Sequence, residues 1–255
     1  FQLEGHVGRD PSIVVSDLPR TSITGASPEV DLFSNIHVGG NLHFGPDELL
    51  YLSIGDFGVF QQRSADPGEA IGKLLRFTAE GQPAPAQNLP AEGDPRVFAY
   101  GLRNPFDFDF GGDGQIFAVD NGPDACDEVN IIREGLNYGW PSPRVSEESC
   151  ERRDGESAIG YLSREGSNPY ENGSTVGPSS LLYLENGFGR LAGPGLVVCE
   201  VNTGRLRYLP LNGDVVNVGE SETLADDCFT DVIRLGDGSL VYTTLTSLRR
   251  LRAAD

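Results

Sequence analysis

The sequence predicts an all-β protein, a β-propeller built from four-stranded antiparallel blades. Three observations lead there. First, FGPDELLYLSIGD (residues 44–56), FGGDGQIFAVDNG (110–122) and RLGDGSLVYTTL (234–245) share one pattern, a Gly/Asp turn between a short strand and a β-rich one. Their aspartates, Asp47, Asp113 and Asp237, are separated by 66 residues and then by 124, close to twice the first interval. One diverged unit therefore lies between the second and third sites. Second, helical periodicity is almost absent. Third, 33 glycines and 17 prolines punctuate the short strands, as expected of radially repeated sheets. A β-sandwich is the structural rival, but it does not predict the repeat.

The elements follow in order. The opening FQLEGHVGRDPSIVVSDLP reads as outer strands of an incomplete blade, and GKLLRF (72–77) and VFAYGLRNPFDFDF (97–110) supply strands around the first two turns. SSLLYL (179–184), GLVVCEV (195–201) and GRLRYLPLNG (204–213) supply the diverged unit. Four units in 255 residues give each about 64 residues, more than the roughly 40–50 of a typical blade. Long loops are thus expected, at Gln61 to Ile71 and at Pro141 to Pro178. No linker divides the chain, so residues 1–255 read as one domain.

Composition narrows the function. With 38% hydrophobic residues there is enough apolar material for a real core, and no apolar run is long enough to span a bilayer. A formal charge of −19 repels phosphate backbones and disfavours nucleic acid as a partner, while favouring cations. The chain has no methionine and opens on Phe1, which suggests numbering that starts after a removed segment. Its four cysteines, Cys126, Cys150, Cys199 and Cys228, lack C-x-x-C spacing and read as two disulfides, hence an extracellular or periplasmic location.

The densest chemistry is DNGPDACDEVNIIREGLNYGWP (120–141), a strand end, a loop and the next strand. Gly122 and Pro123 can offer backbone carbonyls there, and Asp120, Asp124, Asp127 and Glu128 offer carboxylates, a hard-oxygen set that suits Ca²⁺. A polar loop turned by Asn and Gly is the competing reading.

Together, HVGGNLHFGPDELLYLSIGD (37–56), GKLLRF, GLRNPFDFDF and DEVNIIREGLNYGWP resemble the glucose/sorbosone dehydrogenase family. These are soluble aldose sugar dehydrogenases that depend on pyrroloquinoline quinone (PQQ). The match is dense over about 37–141 and weaker over 174–252. The resemblance implies a six-bladed propeller, of which four to five blades are recognisable here, with PQQ over its central channel and Ca²⁺ helping to hold it. By position, His37 takes the place of the base that removes the C1 hydroxyl proton of the sugar. Arg103 takes that of the group stabilising charge on the quinone oxygens, and Asn104 and Asn121 join it in the cofactor-binding set. Gly122 and Pro123 match carbonyl ligands of the catalytic calcium, and Glu128 and the Tyr138 backbone match a structural calcium site. The residue types suit the chemistry, because imidazole titrates near neutral pH and a guanidinium keeps its charge. His37 as a turn residue and Arg103 as a carboxylate partner are the plain alternatives. His43 reads as structural, His6 carries no motif, and Lys73, the sole lysine, is expected to be structural.

Departures from the family pattern are specific. Where basic residues grip the PQQ carboxylates, this chain has Cys228, Phe229, Thr230, Asp231 and Val232, and Asn202 stands in place of a lysine. Cys199 and Cys228 fall where two of these weakened blades meet, so a disulfide there is expected, and Cys126–Cys150 would staple the loop after the calcium site. Three functions compete: oxidation of an aldose at C1 with PQQ, calcium and an electron acceptor; a non-catalytic calcium-stabilised propeller that binds a protein or glycan; and hydrolysis of a sugar lactone on calcium. A partner chain or missing segment is expected to complete the ring.

Overall fold

The computed structural model describes residues 2–4, 7–9, 12–16, 18, 36–58, 60–84, 86 and 88–253. Strands β1 (Gln2–Glu4) and β2 (Val7–Arg9) pair antiparallel in a two-stranded sheet of their own, so the opening stretch does hold strands, with no pairing to any other sheet among the described residues. His6 lies outside the described residues.

Four blade-like antiparallel sheets follow. The first is β3 (Leu42–Phe44), β4 (Leu50–Ile54), β5 (Lys73–Phe77) and β6 (Val97–Tyr100). The second is β7 (Pro105–Phe110), β8 (Ile116–Asp120), β9 (Asp127–Ile132) and β10 (Gly160–Leu162). The third joins β11 (Pro178–Leu184), β12 (Gly195–Glu200) and β13 (Arg205–Asn212), with β14 (Val215–Val216) and β15 (Glu222–Ala225) both paired to β13. The fourth has β16 (Val232–Arg234), β17 (Leu240–Thr243) and β18 (Leu248–Leu251). Every named pairing is antiparallel between strands adjacent in sequence or joined through one short strand, the up-and-down order of propeller blades. Among the described residues the only α-helix is α1 (Gln61–Ser64), which sits inside one of the two expected long loops. The other is shorter than expected, because β10 lies within Pro141–Pro178 and completes the second sheet.

The three Asp turns share one geometry. Gly45, Gly111 and Leu235 each donate N–H to the carbonyl four residues on, and the aspartates' Oδ1 atoms accept from Leu49, Gln115 and Ser239 two residues on. A residue at positive φ closes each turn: Gly114 at 85°, Gly238 at 81° and, in the first sheet, Glu48 at 64°. The diverged third sheet replaces this turn with the longer connection 185–194.

Core clusters lie between sheets. Phe108, Ile116 and Ala118 meet Tyr51, Leu74 and Phe98 between the first and second; Val119, Val129 and Ile131 meet Leu181, Leu196 and Val198 between the second and third. Leu184, Val197 and Tyr208 meet Val232, Leu240 and Tyr242 between the third and fourth. Packing on both faces explains why all five residues of β8 are buried, a pattern no one-sided sheet would show. The first strands join around an axis. Asp107 Oδ2 and Asp109 Oδ2 on β7 accept from the backbone N–H of Leu181 and Tyr183 on β11, at 2.8 and 2.7 Å. Ser180 Oγ lies 3.1 Å from both Asp107 Oδ2 and Asp231 Oδ1, with one hydroxyl hydrogen for either, and so reaches the fourth sheet. Both expected disulfides are present, Cys126–Cys150 and Cys199–Cys228, the second tying β12 to the segment before β16.

Candidate functional site

An open cleft of about 260 Å³ lies at one end of the sheets, lined by His37, Arg103, Asn104, Asn121, Gly122 and Pro123 from the first half of the chain and by Thr175, Gly177 and Asn202 from the second. These six candidate site residues, and the candidate carboxylate Asp127, therefore share one cavity.

His37 precedes β3 with a φ of 53°. Gly55, after β4, makes room for it: a Cβ there would stand 2.2 Å from the His37 carbonyl oxygen. The imidazole Nδ1 is 2.6 Å from Asp56 Oδ1. A carboxylate only accepts, so the Nδ1 proton is held by Asp56 and Nε2 is left as an acceptor. Asp56 is fully buried, accepts Trp140 Nε1–H at 2.9 Å on its other oxygen and Gly58 N–H at 2.7 Å, and donates its own N–H to the Arg103 carbonyl.

Arg103 and Asn104 sit between β6 and β7 and are fixed by one carboxylate. Asp120, at the end of β8, accepts the Arg103 N–H at 2.9 Å and the Asn104 N–H at 2.6 Å. Burial raises the Asp120 carboxyl above its ordinary range, against these backbone hydrogen bonds. The Arg103 Nη1 donates to the carbonyls of Asn121 and Gly122 at 2.7 and 3.0 Å, and its guanidinium lies 5.5 Å from the Trp140 ring centre. Asn104 donates to Asn121 Oδ1, and Asn121 in turn donates to the Pro178 carbonyl on the third sheet. Two buried polar atoms here, Arg103 Nε and Asn104 Oδ1, have no partner among the described residues.

The loop 121–126 turns tightly because Gly122 has no side chain: a Cβ would stand 1.8 Å from the Ala125 carbonyl oxygen. Asp127 holds it, accepting Gly122 N–H and, across to the third sheet, the N–H groups of Val176 and Gly177.

Behind the cleft is a void of about 10 Å³, the size of one water, lined by Asp120, Gly122, Glu128, Tyr138, Trp140 and Arg152. Glu128 receives one side-chain hydrogen bond, from Asn130 at 3.2 Å, and Asn130 Oδ1 is itself buried without a partner among the described residues. Burial, and then the Asp120 charge, push the Glu128 carboxyl well above the usual carboxylate range. Glu128 is the carboxylate on this wall with acceptor capacity to spare for a hard cation, and Arg103 and Arg152 line the same void. No group of three or more His, Cys, Asp or Glu side chains forms a metal cluster among the described residues, so carbonyls and water would complete any coordination shell.

The quinone end of PQQ also finds suitable groups, namely Arg103 with its unpartnered Nε, Asn104 and Asn121. Beyond Arg103 and His37 the lining holds no basic residue among the described residues: Thr175, Gly177, Ser179, Val201 and Asn202 are uncharged and Asp127 is a carboxylate, so a tricarboxylate would meet no cation there. His43 is remote from the cleft and faces Asp107 at 3.3 Å, in keeping with a structural part. Lys73 is structural too, with Nζ donating to the carbonyls of Arg63, Ser64 and Ile71. Three residues central to this geometry were not selected from sequence: Asp56, Trp140 and Arg152. Asp56 and Trp140 stand at or next to the ends of stretches that carry the family resemblance, and Trp140 is also the single tryptophan; Arg152 had no such signal.

The model of the glucose/sorbosone dehydrogenase family matches residues 21–246. The chain belongs to that family. It is similar to the quinoprotein glucose dehydrogenase B of Acinetobacter calcoaceticus, 31% identical over 137 residues that make up 44% of this chain and 28% of that protein. Among solved structures, an oxidoreductase (glucose dehydrogenase) of Thermus thermophilus superposes with a TM-score of 0.72 at 25% identity, over 94% of this chain and 65% of that one. The PQQ-bound aldose sugar dehydrogenase of Streptomyces coelicolor shares the fold, with a TM-score of 0.63 at 24% identity, over 84% of this chain and 60% of that one. The chain thus spans less than two thirds of each relative. Among the described residues no helix is long and apolar enough to cross a membrane.

Proposed function

We propose that the chain forms the sugar-oxidising face of a PQQ-dependent dehydrogenase acting on an aldose at C1. The observation that carries this is the 2.6 Å His37–Asp56 contact at a cleft shared with Arg103 and Asn104. His37 Nε2 accepts the C1 hydroxyl proton, and the Asp56 carboxylate stabilises the imidazolium that results. Arg103 places a permanent positive charge where negative charge develops, and its stacking on Trp140 limits the directions it can take. When bound, PQQ supplies the two-electron acceptor for the C1 hydride. Arg103, Asn104 and Asn121 would hold its quinone end, and calcium would use the Gly122 and Pro123 carbonyls, with a second ion at Glu128 and the Tyr138 backbone. An electron acceptor must reoxidise the cofactor. The two disulfides support export to the periplasm or beyond.

The lack of basic residues on the far side of the cleft, among the described residues, favours a second reading, a calcium-stabilised propeller without turnover. One experiment separates the two: calorimetric titration of PQQ into calcium-loaded protein, with an aldose-dependent dye-reduction assay on the same sample. Saturable PQQ binding, with turnover that falls about 10²–10⁴-fold in His37→Ala, is the expected result. No binding at high micromolar PQQ, in protein whose melting temperature still rises with calcium, would replace the dehydrogenase reading with the scaffold.

A further inference from the structure

A second cavity, of about 370 Å³, lies away from the cleft, between the segment after β10 and the third sheet. Three of the chain's 19 basic side chains, Arg164, Arg205 and Arg207, line it, in a protein of formal charge −19. Basic residues are scarce here, so their convergence is not what a generally acidic surface would produce.

The three arginines differ in what they can offer. Arg207 is buried and rigid: it donates to Glu200 at 2.7 Å and to Ser221 Oγ at 2.8 Å, and those two bonds leave other guanidinium N–H groups. Arg205 is held by Glu165 at 2.8 Å, but Glu165 is 79% exposed, so that pair is weak and an incoming anion can displace it. Arg164 has no ionic partner among the described residues. The wall between them carries hydroxyls, Ser163, Ser167, Ser221 and Thr223. Ser163 donates to the Ser167 carbonyl and Ser221 accepts from Arg207, which leaves the hydroxyl hydrogens of Ser167, Ser221 and Thr223 for a ligand.

We propose that this cavity binds a small polyhydroxylated carboxylate, a sugar acid. Its carboxylate takes the positions between Arg164 and Arg205, and its hydroxyls take the serine and threonine groups and the freed Glu165. The volume exceeds what one bare oxyanion fills, and the lining mixes donors with acceptors. Both features favour a carboxylate attached to a polyol over inorganic sulfate or phosphate. The site requires no turnover at the cleft and stands whether or not PQQ binds.

Calorimetry with gluconate, glucuronate, sodium sulfate and glucose tests it, on the unmodified chain and on Arg164→Gln, Arg205→Gln and His37→Ala. Saturable binding of the sugar acids is expected, weakened about tenfold by each arginine substitution and unchanged by His37→Ala. Glucose is expected not to compete. Absence of saturable heat with either sugar acid at millimolar concentration would overturn the proposal. So would equal affinity in the arginine variants, or loss of affinity in His37→Ala, which would move the binding to the cleft. Sulfate binding as tightly as gluconate would reduce the site to a bare oxyanion pocket and overturn the sugar acid.

Discussion

Asp56 does the most with one side chain, since it orients His37, receives Trp140 and sits against the Arg103 backbone. Asp56→Asn would keep the size but place an amide donor against Trp140 Nε1–H or Gly58 N–H, so one of these contacts is lost. The expected result is a kcat reduced by at least about tenfold with KM little changed, because the imidazole loses its orienting charge rather than its sugar contacts. Lys73 shows the same economy without chemistry. Burial lowers its ammonium to about 7, yet three carbonyls receive its three N–H groups. Lys73→Met strands the Ile71 carbonyl and loosens α1, and should cost about 2 kcal/mol in a denaturant titration. At this scale the sequence was partly legible. His37, Arg103 and Asn104 stood in recognisable motifs, whereas the Asp56–Trp140 hydrogen bond joins residues 84 apart and no local pattern announces it. Arg152, stacked 4.5 Å from the Trp140 ring centre, gave no signal because its part depends on burial.

Turns were the most legible elements, because their chemistry is local. Asp47, Asp113 and Asp237 were all placed between the first two strands of a sheet, since an aspartate that accepts its own turn's N–H works the same way in any blade. The connection 185–194 lost that aspartate and with it the signal. Glu48 keeps the turn but holds a left-handed φ that Gly114 and Gly238 adopt freely. Glu48→Gly should therefore stabilise the protein by up to about 1 kcal/mol, read as a rise in the denaturation midpoint. Strand β10 was missed because three residues in a long polar stretch carry too little alternation to stand out. Its neighbourhood is fixed by a covalent bond instead. Removing Cys126–Cys150 by paired serine substitution should cost about 3 kcal/mol, and the loss should fall on the loop beside Gly122 as faster amide exchange.

For the molecule as a whole, the central channel adds to a pH response that the buried carboxyls Asp120 and Glu128, raised to about 6 and about 8, drive in the same direction. His43, Asp107, Asp109, Asp231 and Arg234 line a cavity of about 400 Å³ between the first strands of the sheets. Burial lowers the His43 value, but the Asp107 hydrogen bond and the charges of Asp107, Asp109 and Asp231 leave it raised on balance. Its stabilising contribution is complete below about 6.5, the ordinary imidazole value, and fades as pH rises through the folded-state value. Burial raises Asp109 and Asp231, so their cost also eases as pH falls. Lys73 acts in the opposite sense above its value of about 7 and levels off below it. The melting temperature should thus climb as pH drops from about 7 to about 5.5, and His43→Gln should flatten that climb. Repetition of the sheets was legible in sequence because every sheet but the third repeats one turn. The meeting of side chains from all four sheets in the channel was not, since it depends on how the repeats curl.

Cys199 and Cys228 enclose the exposed turn at Gly213, at a φ of 60° between β13 and β14. A protease that cuts there would not release a fragment. The two pieces would travel together on a gel without reductant and separate only once thiol is added, so damage at this turn would pass unseen in any assay that reads size with the disulfide intact.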